Sequence, residues 1–295
     1  MNKTIKLYDF TPYETGFTGK VVSCERLDGS HVLVVLDKTL FFPEEGGQSP
    51  DKGNIDGFNV KNVQIKNDII SHTIECDTEH FVIDKGVYGN IDWDYRFSNM
   101  QNHSAEHIFS GLVNRKYGFN NCGFHLSDNI VTMDFDGPLS IQDIEELEIE
   151  VNNAIYKNVE TKTGYPEADE LKKLEYRSKI DLESGVRIVE IGSYDKCACC
   201  APHVSKTGEI GIFKVQSVQS YKGGVRISYL AGRRALNAYI NDFKLVESLG
   251  TKLSANRDNL EQFVDNLKSN NEKLKLDVTK ANTFRLEIEI DRQKN

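Results

Sequence analysis

The N-terminal third of the chain alternates short apolar runs with turn residues. The clearest run is His31 to Leu36, and similar segments follow at 58–65, 69–74 and 86–91, separated by Gly, Asn and Asp. Short strands at this spacing are typical of a small barrel or sandwich. We therefore predict a small N-terminal β-barrel over residues 1–92.

The period of the apolar positions changes at Asp94. Apolar residues and two histidines then recur at helical spacing until Tyr117-Gly118. Ser140 is placed to cap a helix from Ile141 to Tyr156. Strand-like runs follow at 129–135, 185–191, 210–218 and 224–230. This mixture predicts a central α/β domain over residues 93–232, and an α+β class for the chain.

The tail, residues 233–295, is charged, contains no proline and has helical periodicity. Asp258 and Glu261 match a capping box, which predicts a break between two helices over Ser254–Arg257. An apolar stripe then runs from Leu260 to Val278. It fits an amphipathic helix packed on the body, or a coiled-coil arm for a homodimer or an RNA partner.

Composition restricts the possible functions. The net charge is −9, and residues 241–295 carry ten basic and ten acidic side chains, so the excess of acid lies in the body. A protein that coats nucleic acid non-specifically would normally be basic. No apolar run is long enough for a membrane span, and the N-terminus does not resemble a signal peptide. Three cysteines lie within residues 197–200, a spacing that favours metal or redox chemistry over disulfides. We therefore predict a cytoplasmic protein.

Two pairs of metal-ligand residues, each four positions apart, are the strongest chemical signal. His103 and His107 share one face of the predicted helix, and Cys199 and His203 follow in a turn-rich segment. Neutral imidazoles with a thiolate suit Zn²⁺, one ion per chain, better than Mg²⁺ or Ca²⁺. Spacing alone leaves Cys197 and Cys200 as rivals for the thiolate.

Two further segments carry candidate substrate-binding residues. The loop Phe42–Pro50 contains Gly46, Gly47 and Gln48, and its glycines allow close approach of the backbone while the amide can contact a polar substrate. The segment 120–126 follows the helix of the histidine pair, so His125 is a candidate for the same pocket. A plain turn and a surface histidine are the competing interpretations.

These motifs together resemble a known family. Phe-Pro-Glu-Glu-Gly-Gly-Gln at 42–48, His-Ser-Ala-Glu-His at 103–107, Gly-Phe-His-Leu at 123–126 and Cys-Cys-Ala-Pro-His at 199–203 occur in the order seen in alanyl-tRNA editing proteins. The chain resembles the free-standing AlaX type, which is similar to the editing domain of alanyl-tRNA synthetase. The resemblance spans residues 1–235, and the tail is similar to the helical segment of the longer members. The longest members continue into a further globular domain. This chain is therefore expected to be either a truncated piece of such a member or a naturally shorter form.

The resemblance implies a zinc-dependent hydrolase that removes serine, with glycine as a second candidate, from the alanine tRNA. It implies His103, His107, Cys199 and His203 as the zinc ligands. Ser104, where the family often has Thr, and Gln48 become candidates to recognise the serine hydroxyl. Glu106 is a candidate base for the zinc-associated water, although its helix phase favours a solvated side chain.

One departure from the family and two competing functions remain. The chain has Asn121 where the synthetase editing domain has a Gln, so that residue's substrate role carries over less directly. The main alternative function is a zinc-stabilised module that binds tRNA without cleaving it. A fragment of a full synthetase is the least favoured interpretation, because nothing in the sequence resembles a nucleotide-binding aminoacylation core.

Overall fold

Short strands build the N-terminal part of the chain. The computed structural model describes residues 3–178 and 185–294. The first strands are β1 (Ile5–Lys6), β2 (Gly16–Arg26), β3 (His31–Leu36), β4 (Lys38–Thr39), β5 (Gly53–Ile55), β6 (Phe58–Lys66), β7 (Ile69–Glu75) and β8 (Gly86–Ile91).

Strands β2, β3, β7, β6, β5 and β8 pair in that order and close into a ring. Burial alternates along β7 and β8, because successive side chains of a strand point to opposite faces. The buried residues of the ring, Val34 and Ile74 among them, form one apolar core. In the turns Asp56-Gly57 and Asn67-Asp68 both residues have positive φ, which a two-residue hairpin loop requires. The prediction of a β-rich N-terminal region is confirmed.

Helices and strands alternate in the central part. Its elements are α1 (Trp93–Tyr117), β9 (Asn121–Leu126), β10 (Val131–Phe135), α2 (Ile141–Lys157), β11 (Thr161–Gly164), α3 (Ala168–Leu171), β12 (Ile188–Ile191), β13 (Asp195–Ala198), β14 (Phe213–Tyr221) and β15 (Gly224–Ala231). Antiparallel sheets form in the orders β14-β15-β10-β9 and β11-β12-β13. The predicted mixed α and β class is confirmed.

Helix α1 is the central element of this region. It begins where the Asp92 side chain accepts a hydrogen bond from the Tyr95 backbone N–H, and it ends at Gly118, whose φ of 72° is left-handed. Every residue from Asn99 to Val113 is buried. A helix buried on all sides must satisfy its polar side chains internally, so its histidines and other polar groups need partners on neighbouring elements.

Helix α2 begins as predicted. Ser140 and Asp143 form a reciprocal capping box, in which each side chain bonds to the other residue's backbone N–H. The apolar stripe of α2, including Leu147 and Val151, packs into the same core as Ile108 and Phe109 of α1. This core holds α1 in place beneath the sheet that contains β9.

The C-terminal residues form a unit of their own. Contacts divide the chain into Met1–Leu236 and Asn237–Asn295. Helices α4 (Gly232–Leu253) and α5 (Leu260–Lys294) are interrupted as predicted, but the capping box there joins Asn256 and Asn259 rather than Asp258 and Glu261. The division into residues 1–92, 93–232 and 233–295, the coiled coil and the homodimer stay predictions. Across the described residues, no helix combines the length and the apolar character needed to cross a membrane.

Candidate metal centre

Four side chains from distant parts of the chain converge beside α1. His103 and His107 project from one face of that helix, and Cys199 and His203 belong to the loop after β13. The potential ligand atoms of all four lie within 4.8 Å of one another. The Sγ of Cys199 is 3.6 Å from Nε2 of His103 and 3.4 Å from Nε2 of His203. Since the three histidines are buried, this cluster is shielded from bulk water.

Each histidine of the cluster has an oxygen partner on its Nδ1. Gln48 Oε1 lies 2.8 Å from Nδ1 of His103, and Ser104 Oγ lies 3.0 Å from Nδ1 of His203. The Nδ1 of His107 faces Asp195 Oδ2 at 2.9 Å. Each of these oxygens can accept a proton from Nδ1, and in that tautomer the Nε2 lone pair is available to an ion.

The protonation states of Cys199 and His203 are those of zinc ligands. Burial by itself would raise the pKa of Cys199, but the imidazoles of His103 and His203 lower it well below its ordinary value. Burial also lowers the pKa of His203 to about 3, so that its imidazole is neutral. A thiolate and a neutral imidazole at Cys199 and His203 match the donors that Zn²⁺ takes in proteins. Burial by itself would lower the pKa of His107, but its contacts with Asp195 and Cys199 raise that pKa well above its ordinary value, so an ion would have to displace a proton from this ring.

The neighbouring cysteines are less suited to the thiolate position. Burial raises the pKa of Cys197 to about 11, and burial together with Cys199 and Glu45 raises that of Cys200. Both therefore favour the neutral thiol, which is a weak metal ligand. Cys197 does approach His107 and Asp195. The geometry brings Cys199, and neither neighbour, into the group with all three histidines.

The glycine loop ends with Gln48 against the cluster. Gly46 and Gly47 have φ of 62° and 85°, and a Cβ on Gly47 would lie 2.2 Å from the carbonyl oxygen of Phe124. Backbone bonds from Leu126 N to Gly47 O and from Ser49 N to Leu126 O join this loop to β9. The loop therefore packs on the backbone of β9 at a distance that only glycine permits, and its Gln48 contacts His103.

The amide of Gln48 is half satisfied. Its side chain is fully buried, and Oε1 accepts the proton of His103. Within residues 3–178 and 185–294, Nε2 of Gln48 has no hydrogen-bond partner. A buried donor without an acceptor is costly, so the oxygen of a water or of a ligand would stabilise this nitrogen.

A buried ion pair, absent from the predictions made from the sequence, holds the base of the same loop. Arg96 of α1 donates to both carboxylate oxygens of Asp51 and to the carbonyl of Leu40. Asp51 in turn accepts from the Phe42 backbone N–H at 2.6 Å. Helix α1 thus contacts the loop at its base through Arg96 and near its tip through His103. An arginine two turns before the first histidine was the available signal, but its partner lies 45 residues away.

Ser104 contacts the loop that carries His203. It is fully buried, and its Oγ lies between Nδ1 of His203 and the backbone N–H of Val204, at 3.0 and 3.2 Å. The recognition of a substrate hydroxyl by Ser104 stays a prediction, and the structure adds two protein partners for its own hydroxyl. The helix position next to His103 directs its hydroxyl towards the loop of His203, where it orients that imidazole.

Glu106 is buried, so the prediction of a solvated side chain is wrong. Its Oε1 accepts hydrogen bonds from Ser110 and from Asn121, the latter at 2.6 Å. Asn121 Oδ1 accepts from the Gly123 backbone N–H at 3.1 Å. Asn121 and Glu106 therefore tie the start of β9 to α1. The substrate contact of Asn121 and the base role of Glu106 stay predictions.

His125 points away from the cluster. Successive residues of β9 alternate between its faces, and Phe124 packs on the His103 ring with centroids 4.7 Å apart. His125 is exposed on the other face. The structure favours the alternative of a surface histidine, and Phe124 is the residue of β9 that contacts His103.

Comparisons with known proteins match the regions on both sides of α1. A family model described as "Threonyl and Alanyl tRNA synthetase second additional domain" matches residues 186–228, and one described as "tRNA synthetases class II (A)" matches residues 12–95. The alanyl-tRNA editing protein AlaX-L of Pyrococcus horikoshii is 32% identical over 248 residues, covering 79% of this chain and 59% of that protein.

Alanine–tRNA ligases are similar over much the same region. That of Ignicoccus hospitalis is 28% identical over 93% of this chain and 31% of the ligase, and that of Thermobifida fusca is 32% identical over 82% of this chain and 29% of the ligase. The chain thus spans 59% of AlaX-L and about 30% of the ligases. By these similarities the chain resembles AlaX-type alanyl-tRNA editing proteins and the corresponding part of alanine–tRNA ligases.

Proposed function

We propose that this protein is a zinc-dependent aminoacyl-tRNA deacylase that hydrolyses the ester of serine wrongly attached to the alanine tRNA, with glycine as a second substrate. The observation that carries the proposal is the group of three buried histidines, His103, His107 and His203, with the partly buried Cys199 beside a glycine loop. Similarity to AlaX-L, whose name describes an alanyl-tRNA editing protein, supports the substrate class.

These four side chains would hold one Zn²⁺. A bound zinc ion supplies a Lewis acid that polarises a coordinated oxygen or lowers the pKa of a bound water. The protein itself contributes the burial of the site and the orientation of each imidazole by an oxygen partner. An aminoacyl ester is already activated, so positioning a water and the ester in a dry pocket accounts for much of the rate.

Gln48 is the proposed reader of the serine hydroxyl. Its Oε1 is engaged by His103, which directs Nε2 as a donor into the site. A serine hydroxyl offers Nε2 an acceptor, whereas the methyl group of alanine leaves it unpaired. Such a buried unpaired donor costs about 1–3 kcal/mol, which favours cleavage of the serine ester over the correct alanine ester.

Deacylation of alanine tRNA charged with serine, glycine or alanine tests the activity. We expect serine release by the wild-type protein and its loss in His103→Ala, with one zinc per wild-type chain measured by atomic emission. His125→Ala is the matched control, because it removes an exposed histidine of the same region and should retain activity. Unchanged serine release by His103→Ala would contradict the zinc-site proposal.

A zinc-stabilised module that binds tRNA without cleaving it is the second candidate. It is favoured by the presence of four protein donors, which fill a tetrahedral shell as in structural zinc sites. Removal of zinc by a chelator separates the two. A structural ion would be needed for folding, seen as loss of the thermal transition, whereas a catalytic ion would mainly abolish turnover.

A further inference from the structure

Asp195 and Arg177 extend the metal cluster beyond its candidate ligands. Asp195, at the start of β13, accepts from Nδ1 of His107 at 2.9 Å. Arg177 donates Nε to Asp195 Oδ1 at 2.7 Å and Nη2 to Oδ2 at 2.9 Å. The side chain of Asp195 is 1% exposed and that of Arg177 is 19% exposed. Arginine, aspartate and imidazole thus form one continuous chain of hydrogen bonds that ends at the cluster.

The backbone around this chain is closely packed. Arg177 accepts a bond from the Ala198 backbone N–H at 2.9 Å, which fixes it beside β13. On the other side α1 approaches at Gly111, where a Cβ would lie 2.3 Å from the carbonyl oxygen of Tyr194 and 2.8 Å from Cβ of Asp195. The carboxylate therefore has a set position relative to the helix that carries His107.

The three histidines differ in the charge of their partners. Gln48 and Ser104 offer uncharged oxygens, whereas His107 donates to a carboxylate. A carboxylate acceptor makes an imidazole a stronger metal ligand and fixes its ring orientation. Because both oxygens of Asp195 accept hydrogen bonds, it is suited to orient His107 rather than to replace it as a ligand. Arg177 compensates its charge, which would otherwise be costly to bury.

We propose that Asp195 and Arg177 are a positioning pair that sets the orientation and ligand strength of His107, and thereby the affinity of the site for zinc. The pair itself does not touch the substrate. This proposal rests on the zinc site of the proposed function, and it adds a measurable dependence of zinc affinity on a residue outside the ligand set.

Competition with a chelator of known zinc affinity tests the pair. We expect Asp195→Asn to weaken zinc binding by about 10- to 100-fold, because the amide keeps the size of the side chain but loses the carboxylate charge. Asp134→Asn is the matched control. Asp134 receives the same two-bond contact from Arg226, both at 2.7 Å, on β10 and β15. The control variant should bind zinc as the wild type does.

The outcomes distinguish this proposal from the one on which it rests. Equal zinc affinity of Asp195→Asn and the wild type, or equal losses in Asp195→Asn and Asp134→Asn, would overturn the positioning role alone. A wild-type protein that binds no zinc would overturn the zinc site and the pair together.

A measurement on the unmodified protein covers the case in which Asp195→Asn does not fold. In zinc-loaded protein with ¹⁵N-labelled histidine, the Nδ1 proton that is bonded to a carboxylate should resonate further downfield than the other two ligand Nδ1 protons. Three equivalent Nδ1 protons would overturn the proposal.

Discussion

Gln48→Glu replaces the amide nitrogen of Gln48 by a carboxylate oxygen and keeps the length of the side chain. The remaining oxygen can still accept the Nδ1 proton of His103, now as a charged partner, so the orientation of that imidazole should be retained. The donor at Nε2, which has no partner among the described residues, is lost. The variant thus separates recognition of the substrate from support of the metal cluster.

The size of the effect follows from the burial of Gln48, which is 0% exposed. If Nε2 donates to the serine hydroxyl, its loss removes a buried hydrogen bond of about 1–3 kcal/mol, equivalent to roughly 5- to 150-fold in kcat/KM. Alanine offers no acceptor, so the rate on Ala-tRNA should not fall. Discrimination between serine and alanine should therefore shrink by the same factor.

Deacylation kinetics on Ser-tRNA and Ala-tRNA, with zinc content measured in parallel, provide the assay. Gln219→Glu on β14 adds the same charge at an exposed position and should leave both rates unchanged. If Gln48→Glu retains zinc and still discriminates as the wild type does, donation from Nε2 does not select serine, since a serine hydroxyl can itself donate to the new carboxylate. If it loses zinc, the assumption that a carboxylate can support His103 is wrong.

Two further predictions concern stability. Gly47→Ala should lower the free energy of unfolding in urea by more than Gly57→Ala. Both glycines have φ near 85°, but of the two only the Gly47 Cβ would meet an atom within 4 Å, the Phe124 carbonyl oxygen at 2.2 Å. Equal losses would contradict the close approach of the loop to β9. Burial lowers the pKa of His72 from 6.5 to about 4, so below pH 6.5 the unfolded chain takes up a proton that the folded chain does not. Between pH 6.5 and 4, His72 should therefore lower the free energy of unfolding by roughly 3 kcal/mol. In urea titrations, the free energy of unfolding of His72→Gln should fall less steeply with pH than that of the wild type. Equal pH dependence of the two proteins would contradict the lowered pKa of His72.

Local patterns were sufficient for the elements that need only neighbours in sequence. The apolar runs of the ring, the Ser140 cap of α2 and the end of α1 at Gly118 were predicted correctly, because strand alternation, capping and a left-handed glycine act over a few residues. The C-terminal capping box was assigned to the wrong pair, since Asp258 with Glu261 and Asn256 with Asn259 offer the same local signal.

Roles that depend on long-range partners were predicted less well. Ser104 and Glu106 were placed on the correct helix, but their partners come from His203 and Asn121, 99 and 15 residues away. His125 was taken for a pocket residue because the sequence does not say which face of β9 is buried. Asp195, Arg177 and the Arg96–Asp51 pair were missed, because a charged residue in sequence does not reveal whether folding will bury it.

By itself the sequence determined the helix that carries His103 and His107, since residues four apart on a helix necessarily share a face. Its four ordered motifs also carried the resemblance to alanyl-tRNA editing proteins. Spacing left three cysteines open and the family resemblance implied Cys199, whereas only the tertiary structure showed that Cys199 joins the three histidines and which oxygen faces each imidazole. Those choices depend on distances between segments about 90 residues apart, and on burial, which makes an unpaired polar group costly and so selects one partner for each.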